Sequence, residues 1–280
     1  MKDRTGVGDV VKIGELQVLP VFDGSTDLAP TGMYRLGPEE MLGGDEDDWA
    51  PHRDLLADDG TLELVFGGFL VRGAGDRLIL VDGGVGRDAH GGTGVTGGHL
   101  LESLAAAGVA LGDVTDVLFT HLHFDHIGWA TVDGAPTFPN ATYRCHRRDW
   151  DHFYGSDDDA TTRLAGIEPR LELFDTDTTL APGVDTRLAP GHTPGSTLLV
   201  LSSGNDRALL LGDVVHCAVE LVDDDWGGVF DVDPALAQRT RNALARELEG
   251  TEVPVTGAHF PGLRFGRVLP GQGTRRFVFG

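Results

Sequence analysis

The chain has 280 residues, of which 40% are hydrophobic and 24% are charged. This composition is typical of a folded globular protein and excludes a disordered chain. The 44 acidic residues outnumber the 22 lysines and arginines, which gives a formal net charge of −22. An acidic surface repels phosphate backbones and anionic lipids, so the charge argues against nucleic acid and membrane surfaces as partners.

Two features of the sequence indicate a reducing compartment. There are two cysteines, Cys145 and Cys217, which are too few for a disulfide framework. Residues 1–11 lack the apolar segment of a secretion signal, and no run approaches the roughly 18 apolar residues of a membrane span. We therefore expect a cytoplasmic protein without a membrane partner.

In the first 120 residues, short apolar runs alternate with turn residues. Strands are predicted over residues 10–16, 17–22, 62–71, 78–82 and 114–120. The turn at residues 73–76 joins two of these strands into a hairpin. A helix is predicted at residues 100–105, because its leucines have helical spacing and Gly108 follows as a stop.

Residues 23–60 interrupt this pattern with glycines, prolines and an acidic cluster. Long segments without regular structure often form lids or binding loops. We predict a lid or substrate loop here. A surface excursion with its own small apolar cluster explains the same pattern.

The second half of the chain contains further strands and one well-marked helix. The strands are predicted over residues 142–145, 185–189, 197–201, 208–212, 253–256 and 274–279. The helix begins after Asp233 as N-cap, with Pro234 in its first turn, and Gly250 is its stop. Strands dominate with helices between them, which indicates an α/β or α+β arrangement in one domain over residues 1–280.

The most informative segment is Thr-His-Leu-His-Phe-Asp-His-Ile-Gly at residues 120–128. In an extended chain, His121, His123 and Asp125 project to one side and His126 to the other, because side chains alternate. Imidazole and carboxylate groups are preferred ligands of zinc and similar cations. The segment therefore predicts a metal site, with a metal-free polar loop as the alternative.

Three later residues have the same chemistry and a similar placement. His192 lies in the turn sequence Pro-Gly-His-Thr-Pro-Gly, and Asp213 and His259 each follow a predicted strand. A carboxylate such as that of Asp213 can bridge two cations, because it has two oxygens. Ligands gathered at one edge of a sheet would show this arrangement.

The motif HxHxDH, followed in order by His192, Asp213 and His259, resembles the metallo-β-lactamase superfamily. The segment Leu-Val-Asp-Gly-Gly around Asp82 is similar to an early motif of that family, and the resemblance extends over residues 62–279. It implies an α+β fold, an αββα sandwich of two mixed β-sheets flanked by helices. It also implies two metal sites: His121, His123 and His192 for the first, Asp125, His126 and His259 for the second, and Asp213 as the bridge.

Within the superfamily, the sequence resembles the branch of N-acyl homoserine lactonases and methyl parathion hydrolase. The Gly-His-Thr-Pro-Gly turn, the bridging aspartate and the late Ala-His-Phe-Pro-Gly segment carry this likeness. Lactonases of this type have a tyrosine three residues after the bridging aspartate, and here that position is His216. The resemblance implies two divalent cations, zinc first, with manganese, cobalt or iron as alternatives.

These expectations define a metal-dependent hydrolase in which a metal-bridging hydroxide attacks an ester, lactone, thioester or phosphotriester. We expect Asp125 to orient the nucleophile or accept its proton, in addition to binding metal. His216 is predicted to donate to the substrate or leaving group, and a purely structural histidine is the alternative. Asp82 is expected to orient a ligand histidine without binding metal.

An apolar pocket above the metals is predicted from hydrophobic residues near the lid segment and after Asp213. The candidates are Met33, Tyr34, Met41, Leu42, Trp49, Trp226 and Phe230. With the acidic charge, they indicate a neutral, hydrophobic small-molecule substrate. The sequence is also compatible with a homodimer. Two alternative functions remain at this point: an iron-dependent redox or oxygen-handling enzyme, and a non-catalytic protein that senses a ligand.

Overall fold

The computed structural model describes residues 8–31, 33–36, 41–43, 46–87 and 95–280. The strands are, in chain order, β1 (Val11–Ile13), β2 (Leu16–Leu28), β3 (Tyr34–Leu36), β4 (Met41–Gly43), β5 (Leu62–Ala74), β6 (Arg77–Val81), β7 (Asp116–Leu118), β8 (Thr131–Val132), β9 (Ala135–Pro136), β10 (Thr142–His146), β11 (Leu171–Phe174), β12 (Thr179–Ala181), β13 (Val184–Leu188), β14 (Thr197–Ser203), β15 (Asp206–Leu210), β16 (Trp226–Gly228), β17 (Val255–Thr256), β18 (Gly266–Leu269) and β19 (Arg276–Phe279). The α-helices are α1 (Glu46–Trp49), α2 (Leu100–Ala106), α3 (Arg147–Phe153), α4 (Asp158–Leu164), α5 (Val219–Val222) and α6 (Pro234–Leu248). Short 3-10 helices cover Ala50–Leu55, Leu111–Asp113, Ala165–Arg170, Gly212–Val214 and Pro261–Leu263.

Two mixed β-sheets form the centre of the fold. The first has the order β1-β2-β5-β6-β7-β10-β11, antiparallel as far as β6 and parallel beyond it. The second has the order β12-β13-β14-β15-β17-β18-β19, in which only the β15–β17 pair is parallel. A smaller sheet, β16-β3-β4, and the hairpin β8-β9 lie outside them.

Alternate residues of the central strands bury their side chains in different layers. On β5, Leu70 packs with Leu100 and Leu104 of α2, whereas Val71 packs with Leu199 of β14. Residues 64–71 of the strand are therefore all apolar, as expected where a strand is covered on both faces. Helix α6 covers the outer face of the second sheet. The predicted sandwich of two mixed sheets flanked by helices is confirmed.

Local sequence signals place several elements correctly. The 62–82 hairpin is present as β5 and β6. Helix α6 begins as predicted, because the Asp233 side chain accepts a hydrogen bond of 2.9 Å from the Leu236 N–H. No helix in the described part of the chain combines the length and apolar content needed to cross a bilayer.

Residues 23–60 contain more regular structure than predicted. Strand β2 continues through Leu28, and the hairpin β3–β4 pairs with β16, with Tyr34 opposite Gly228. That pairing joins residues almost 200 positions apart, so no local pattern reveals it. Residues 32, 37–40 and 44–45 are not among the described residues. The lid function of this segment stays a prediction.

The side chain of Asp23 ties several loops to β2. Asp23 is fully buried at a break in the β2–β5 register. Its two carboxyl oxygens accept hydrogen bonds of 2.8–3.1 Å from the backbone N–H groups of Val85, Gly86, Gly98 and Leu100 and from the Trp129 indole. The carboxyl group thus anchors both sides of residues 87–97 against the first sheet.

We expect the substitution Asp23→Asn to destabilise the fold by roughly 3 kcal/mol, because an amide NH₂ then faces buried N–H donors. Urea unfolding at fixed metal content measures this loss. The matched control is Asp27→Asn, an exposed position on the same strand, which should change stability by less than about 0.5 kcal/mol. Equal stabilities for the two variants would contradict the anchoring role.

Candidate metal centre

The predicted ligands lie on loops that follow strands of both sheets. Residues 121–126 follow β7, and His192 lies between β13 and β14. Asp213 and His259 follow β15 and β17, which are parallel neighbours, so both residues lie at the same edge of the second sheet. The fold therefore brings all seven predicted ligands to one place.

Residues 121–126 form a turn and not an extended segment. The His126 N–H donates a hydrogen bond of 3.1 Å to the carbonyl oxygen of His123. The alternation argument, which placed His121, His123 and Asp125 on one side, is therefore wrong. The turn directs His121 and His123 to one set of ligand atoms, and Asp125 and His126 to another.

The first set consists of three imidazoles. His192 Nε2 lies 3.2 Å from His121 Nε2 and 2.9 Å from His123 Nδ1, and the last two atoms are 3.0 Å apart. Ligands at about 2.0–2.1 Å from a tetrahedral cation are separated by roughly 3.3 Å. The three nitrogens have close to this spacing.

The second set adds carboxylates. Asp213 Oδ1 lies 3.2 Å from His126 Nε2, and Asp213 Oδ2 lies 3.0 Å from His259 Nε2. Asp125 Oδ2 is 3.5 Å from the same nitrogen of His259. Asp213 Oδ2 is also 3.6 Å from His192 Nε2, so this carboxylate lies between the two sets.

Asp82 holds the loop after β7 in place. Its φ of 62° is in the left-handed region, which few non-glycine residues adopt. The carboxylate accepts hydrogen bonds from the Thr120 N–H (2.8 Å) and hydroxyl (2.9 Å) and lies 3.0 Å from His126 Nδ1. The structure thus places Asp82 behind His126, where it fixes the ring and directs Nε2 towards Asp213.

Two further histidines have similar partners at their Nδ1 atoms. His192 Nδ1 lies 3.1 Å from Asp231 Oδ1, and His259 Nδ1 lies 2.9 Å from the carbonyl oxygen of Val65. In each case the Nε2 atom points into the centre. Metal-binding histidines in proteins are commonly held in this way.

Burial sets the charge state of the first set. It lowers the pKa of His121, His123 and His192, because a buried imidazolium is poorly solvated. For His123 the pKa falls to about 3. Neutral imidazole is the form that binds a cation.

The second set behaves differently. Burial alone would lower the pKa of His126 and His259, but the adjacent Asp213 carboxylate raises both. Burial alone would raise the pKa of Asp213, but these two imidazoles and His121 hold it well below its usual value. The carboxylates therefore favour the protonated forms of His126 and His259, and a divalent cation would take the place of these protons.

Several buried polar atoms of the centre have no hydrogen-bond partner among the described residues, as expected of atoms that bind a cation. His126 Nε2 and Asp213 Oδ1 are 3.2 Å apart, yet neither has a hydrogen bond of acceptable geometry among the described residues. Neither ring nitrogen of His216 has a hydrogen-bond partner there. Buried polar atoms are rarely left unsatisfied. Nitrogen and oxygen donors grouped in this way suit two divalent cations of the zinc type.

His216 lies beside the centre, between Asp213 and Glu220. Its Nε2 is 3.5 Å from Asp213 Oδ2, and its Nδ1 is 3.5 Å from Glu220 Oε2. Burial alone would lower the pKa of His216, but Glu220 and Asp213 raise it to about 9. The structure thus places His216 at the cavity wall, and its role in proton donation stays a prediction.

A cavity of about 520 Å³ opens directly above the candidate ligands. His123, Asp125, His192, Asp213 and His259 form its floor. The remaining lining residues are mostly apolar: Thr26, Leu28, Met33, Leu64, Phe66, Val95, Phe124, His216 and Phe230. None of the described lining residues is a lysine or an arginine.

The structure corrects the predicted pocket in part. Met33 and Phe230 line the cavity, as predicted. Tyr34, Trp49 and Trp226 do not, because they pack edge-to-face against one another in the core, with ring centroids 4.7–5.8 Å apart. The side chains of Met41 and Leu42 lie outside the described residues.

Sequence reasoning missed most of the apolar wall. Phe124 lies inside the HxHxDH motif, so its position between ligands was a usable signal. Leu64 and Phe66 are two residues apart on β5, and Thr26 and Leu28 are two residues apart at the end of β2. This spacing shows that the members of each pair share a face of the strand. It does not show that this face borders the metal centre.

Asp149 of α3 connects the two ligand loops from behind. It is fully buried, and its carboxyl group accepts hydrogen bonds from the Thr193 hydroxyl (2.8 Å) and the Gly195 N–H (2.5 Å), next to His192. It also interacts with the backbone of Leu122. Burial raises the pKa of Asp149 to about 7, although these hydrogen bonds act to lower it.

Residues 68–255 match the family described as the Metallo-beta-lactamase superfamily. The chain belongs to this superfamily. No protein with a curated description matches the sequence significantly.

Among solved structures, the protein is similar to AidC, described as a dizinc quorum-quenching lactonase in complex with a product, with 25% identity and a TM-score of 0.82 over 99% of this chain and 98% of AidC. It shares its fold with the hydrolase AbOPH (21% identity, TM-score 0.77, 98% and 97% of the two chains). It also shares its fold with a probable metal-dependent hydrolase from Staphylococcus aureus (20% identity, TM-score 0.76, 96% and 99%).

The raised pKa of Asp149 predicts a pH effect on stability. The native state holds this proton up to about pH 7, whereas the unfolded chain releases it near 3.8. The contribution of Asp149 to stability therefore falls as the pH rises from about 4 to 7, by up to roughly 4 kcal/mol. Asp149→Asn should remove this fall. Urea unfolding of both proteins across that range, at equal metal content, measures the difference, and parallel pH profiles would contradict it.

Proposed function

We propose that this protein is a hydrolase that holds two divalent cations and cleaves an ester, lactone, thioester or phosphotriester bond in a neutral, hydrophobic substrate. The observation that carries the proposal is the arrangement of two adjoining sets of ligand atoms that open directly into an apolar cavity, with Asp213 in one set and within 4 Å of two histidines of the other. Zinc is the first candidate, because imidazole and carboxylate donors suit it.

The chain would divide its ligands between the two cations. His121, His123 and His192 would hold one, Asp125, His126 and His259 the other, and Asp213 would contact both. When bound, two such cations supply an activated water as nucleophile and polarise the oxygen of the scissile group. The residues behind the ligands, Asp82 and Asp231, keep the imidazoles aimed at the cations.

Asp125 and His216 both line the cavity beside this centre. Asp125 lines the cavity, and its Oδ2 is the oxygen nearer to His126 and His259. In this position its carboxylate can orient the attacking water and accept its proton. His216 also lines the cavity, so its Nε2 can contact the substrate oxygen or the leaving group.

The cavity lining favours a substrate without charge. Leu28, Leu64, Phe66 and Phe124 offer apolar surface and exclude water from the bond to be cleaved. An anionic substrate would meet an acidic protein and no lysine or arginine among the described lining residues. The likeness to the lactonase AidC makes acyl lactones the first substrates to test.

The test is a substrate panel run on protein of measured metal content. It includes N-acyl homoserine lactones, p-nitrophenyl esters, thioesters and phosphotriesters, with zinc, manganese, cobalt or iron. We expect turnover of at least one neutral acyl substrate, lost on chelation and restored by zinc. Activity that requires iron and an oxidant would favour a redox enzyme. Ligand binding without any turnover would favour a sensor.

Asp213→Ala should remove the shared ligand, so both metal retention and turnover should fall. We expect fewer than two metal ions per chain by elemental analysis and a loss of at least about 10³-fold in kcat/KM. Asp206→Ala is the control, since this exposed residue begins the same strand β15. An Asp213→Ala variant with full metal content and activity would exclude the shared-ligand role.

A further inference from the structure

A buried ion group formed by Arg241, Asp231 and Glu220 lies next to the metal centre, and none of the three residues lines the cavity. Arg241 of α6 is fully buried between two carboxylates. Its guanidinium is 3.1 Å from Asp231 Oδ2 and 3.2 Å from Glu220 Oε1, and its Nε–H donates a hydrogen bond of 2.9 Å to the carbonyl oxygen of Val214. One guanidinium thus donates a hydrogen bond to Asp231 and forms an ion pair with Glu220.

Each of these carboxylates also faces a histidine of the site. Asp231 Oδ1 is 3.1 Å from Nδ1 of His192, a predicted ligand. Glu220 Oε2 is 3.5 Å from Nδ1 of His216 and accepts a hydrogen bond of 2.6 Å from the His216 backbone N–H. The order His192–Asp231–Arg241–Glu220–His216 therefore begins at the metal centre and ends at the cavity wall.

The surroundings leave His216 little freedom. A Cβ atom on Gly228 would lie 3.0 Å from the His216 ring, so the backbone of β16 closes one side of it. The His192 ring lies on another side, with ring centroids 4.7 Å apart. The group that faces Nδ1 is the Glu220 carboxylate at 3.5 Å, and the attraction between the two helps to orient Nε2 towards Asp213.

Fold stability alone gives a weak reason for this ion group. Three charges buried together cost desolvation energy, and apolar residues of similar volume often stabilise a core equally well. A group that contacts a ligand histidine at one end and a cavity histidine at the other has a second use. It can fix both rings at once.

We propose that Arg241 is a positioning residue of the metal centre. Through Asp231 it sets the ring of His192 on the metal side, and through Glu220 it sets the ring of His216 on the substrate side. The effect on turnover rests on the proposed function, whereas the effect on metal binding does not. We call the Asp231–His192 and Glu220–His216 contacts the two arms of the ion group. Because one guanidinium contacts the carboxylate of each arm, a change at Arg241 alters both histidines together.

The main variant is Arg241→Lys. Lysine keeps the charge, but one ammonium group cannot bridge two carboxylates and a carbonyl oxygen as a planar guanidinium does. We expect zinc retention against a chelator to weaken by roughly 10- to 100-fold and kcat to fall by about 10-fold or more. The visible spectrum of the Co(II)-substituted protein should change, which a purely structural role would not cause.

Arg275→Lys is the matched control. Arg275 likewise donates its Nε–H to a backbone carbonyl, that of Leu221 at 2.8 Å, and pairs with a carboxylate, that of Asp224, away from the ligands. Because Arg275 is less buried and pairs with one carboxylate, Arg275→Lys should lower thermal stability by less than Arg241→Lys. The Co(II) spectrum, zinc retention and kcat should stay at the wild-type values.

Two further variants separate the arms. Asp231→Asn should weaken zinc retention, because Asp231 faces His192. Glu220→Gln should lower kcat with zinc retention unchanged, because Glu220 faces His216. When Arg241→Lys is added to the Asp231→Asn/Glu220→Gln double variant, little further loss should follow, since both arms are already broken.

Three results would overturn the proposal. The first is an Arg241→Lys variant with a lower thermal midpoint but wild-type Co(II) spectrum, zinc retention, kcat and KM. The second is that Arg241→Lys lowers kcat and zinc retention by the same factor in the Asp231→Asn/Glu220→Gln double variant as in the wild type. The third applies if Arg241→Lys does not fold: Asp231→Asn and Glu220→Gln would then each have wild-type spectra and kinetics. A wild-type protein without turnover contradicts the proposed function only, since zinc retention and the spectrum still test Arg241.

Discussion

The carboxylate of Asp213, buried between two sets of imidazoles, is the contact on which the centre depends. Its two oxygens face His126 and His259 directly and lie within 4 Å of His121 and His192. Without a compensating positive charge, an ionised carboxylate in this environment is costly. Protons on the neighbouring histidines or divalent cations can supply that charge. The buried Asp213 carboxylate therefore requires positive charge beside it, in the space between the two sets of ligand atoms.

The ligands come from loops, but rigid groups behind them determine where they point. Asp82, Asp149 and Asp231 are buried acids that the ligand motifs do not include, and each holds a ligand loop or ring from the rear. Such supports let mobile connections between strands act as a fixed centre. They also explain why acids are frequent in the interior of this edge of the sandwich.

The sequence predicts the parts of this protein that local rules control. Alternating apolar runs mark the 62–82 hairpin, and the Asp233 cap marks α6. The HxHxDH motif marks the centre, although the alternation argument failed there because the motif forms a turn. The pairing of β3 with β16 depends on contacts between distant residues. Tyr34, Trp49 and Trp226 pack in the core although the sequence predicts them in the pocket, because an aromatic residue gives the same sequence signal in either place.

The small sheet β16-β3-β4 separates two tasks within one scaffold. The Val229 N–H bonds to the Met33 carbonyl oxygen at 3.2 Å, so two wall residues, Met33 and Phe230, are carried by backbone pairing and not by the ligand loops. Backbone pairing tolerates many side chains. Side chains at these two positions can therefore be exchanged without altering the loops that carry the ligands.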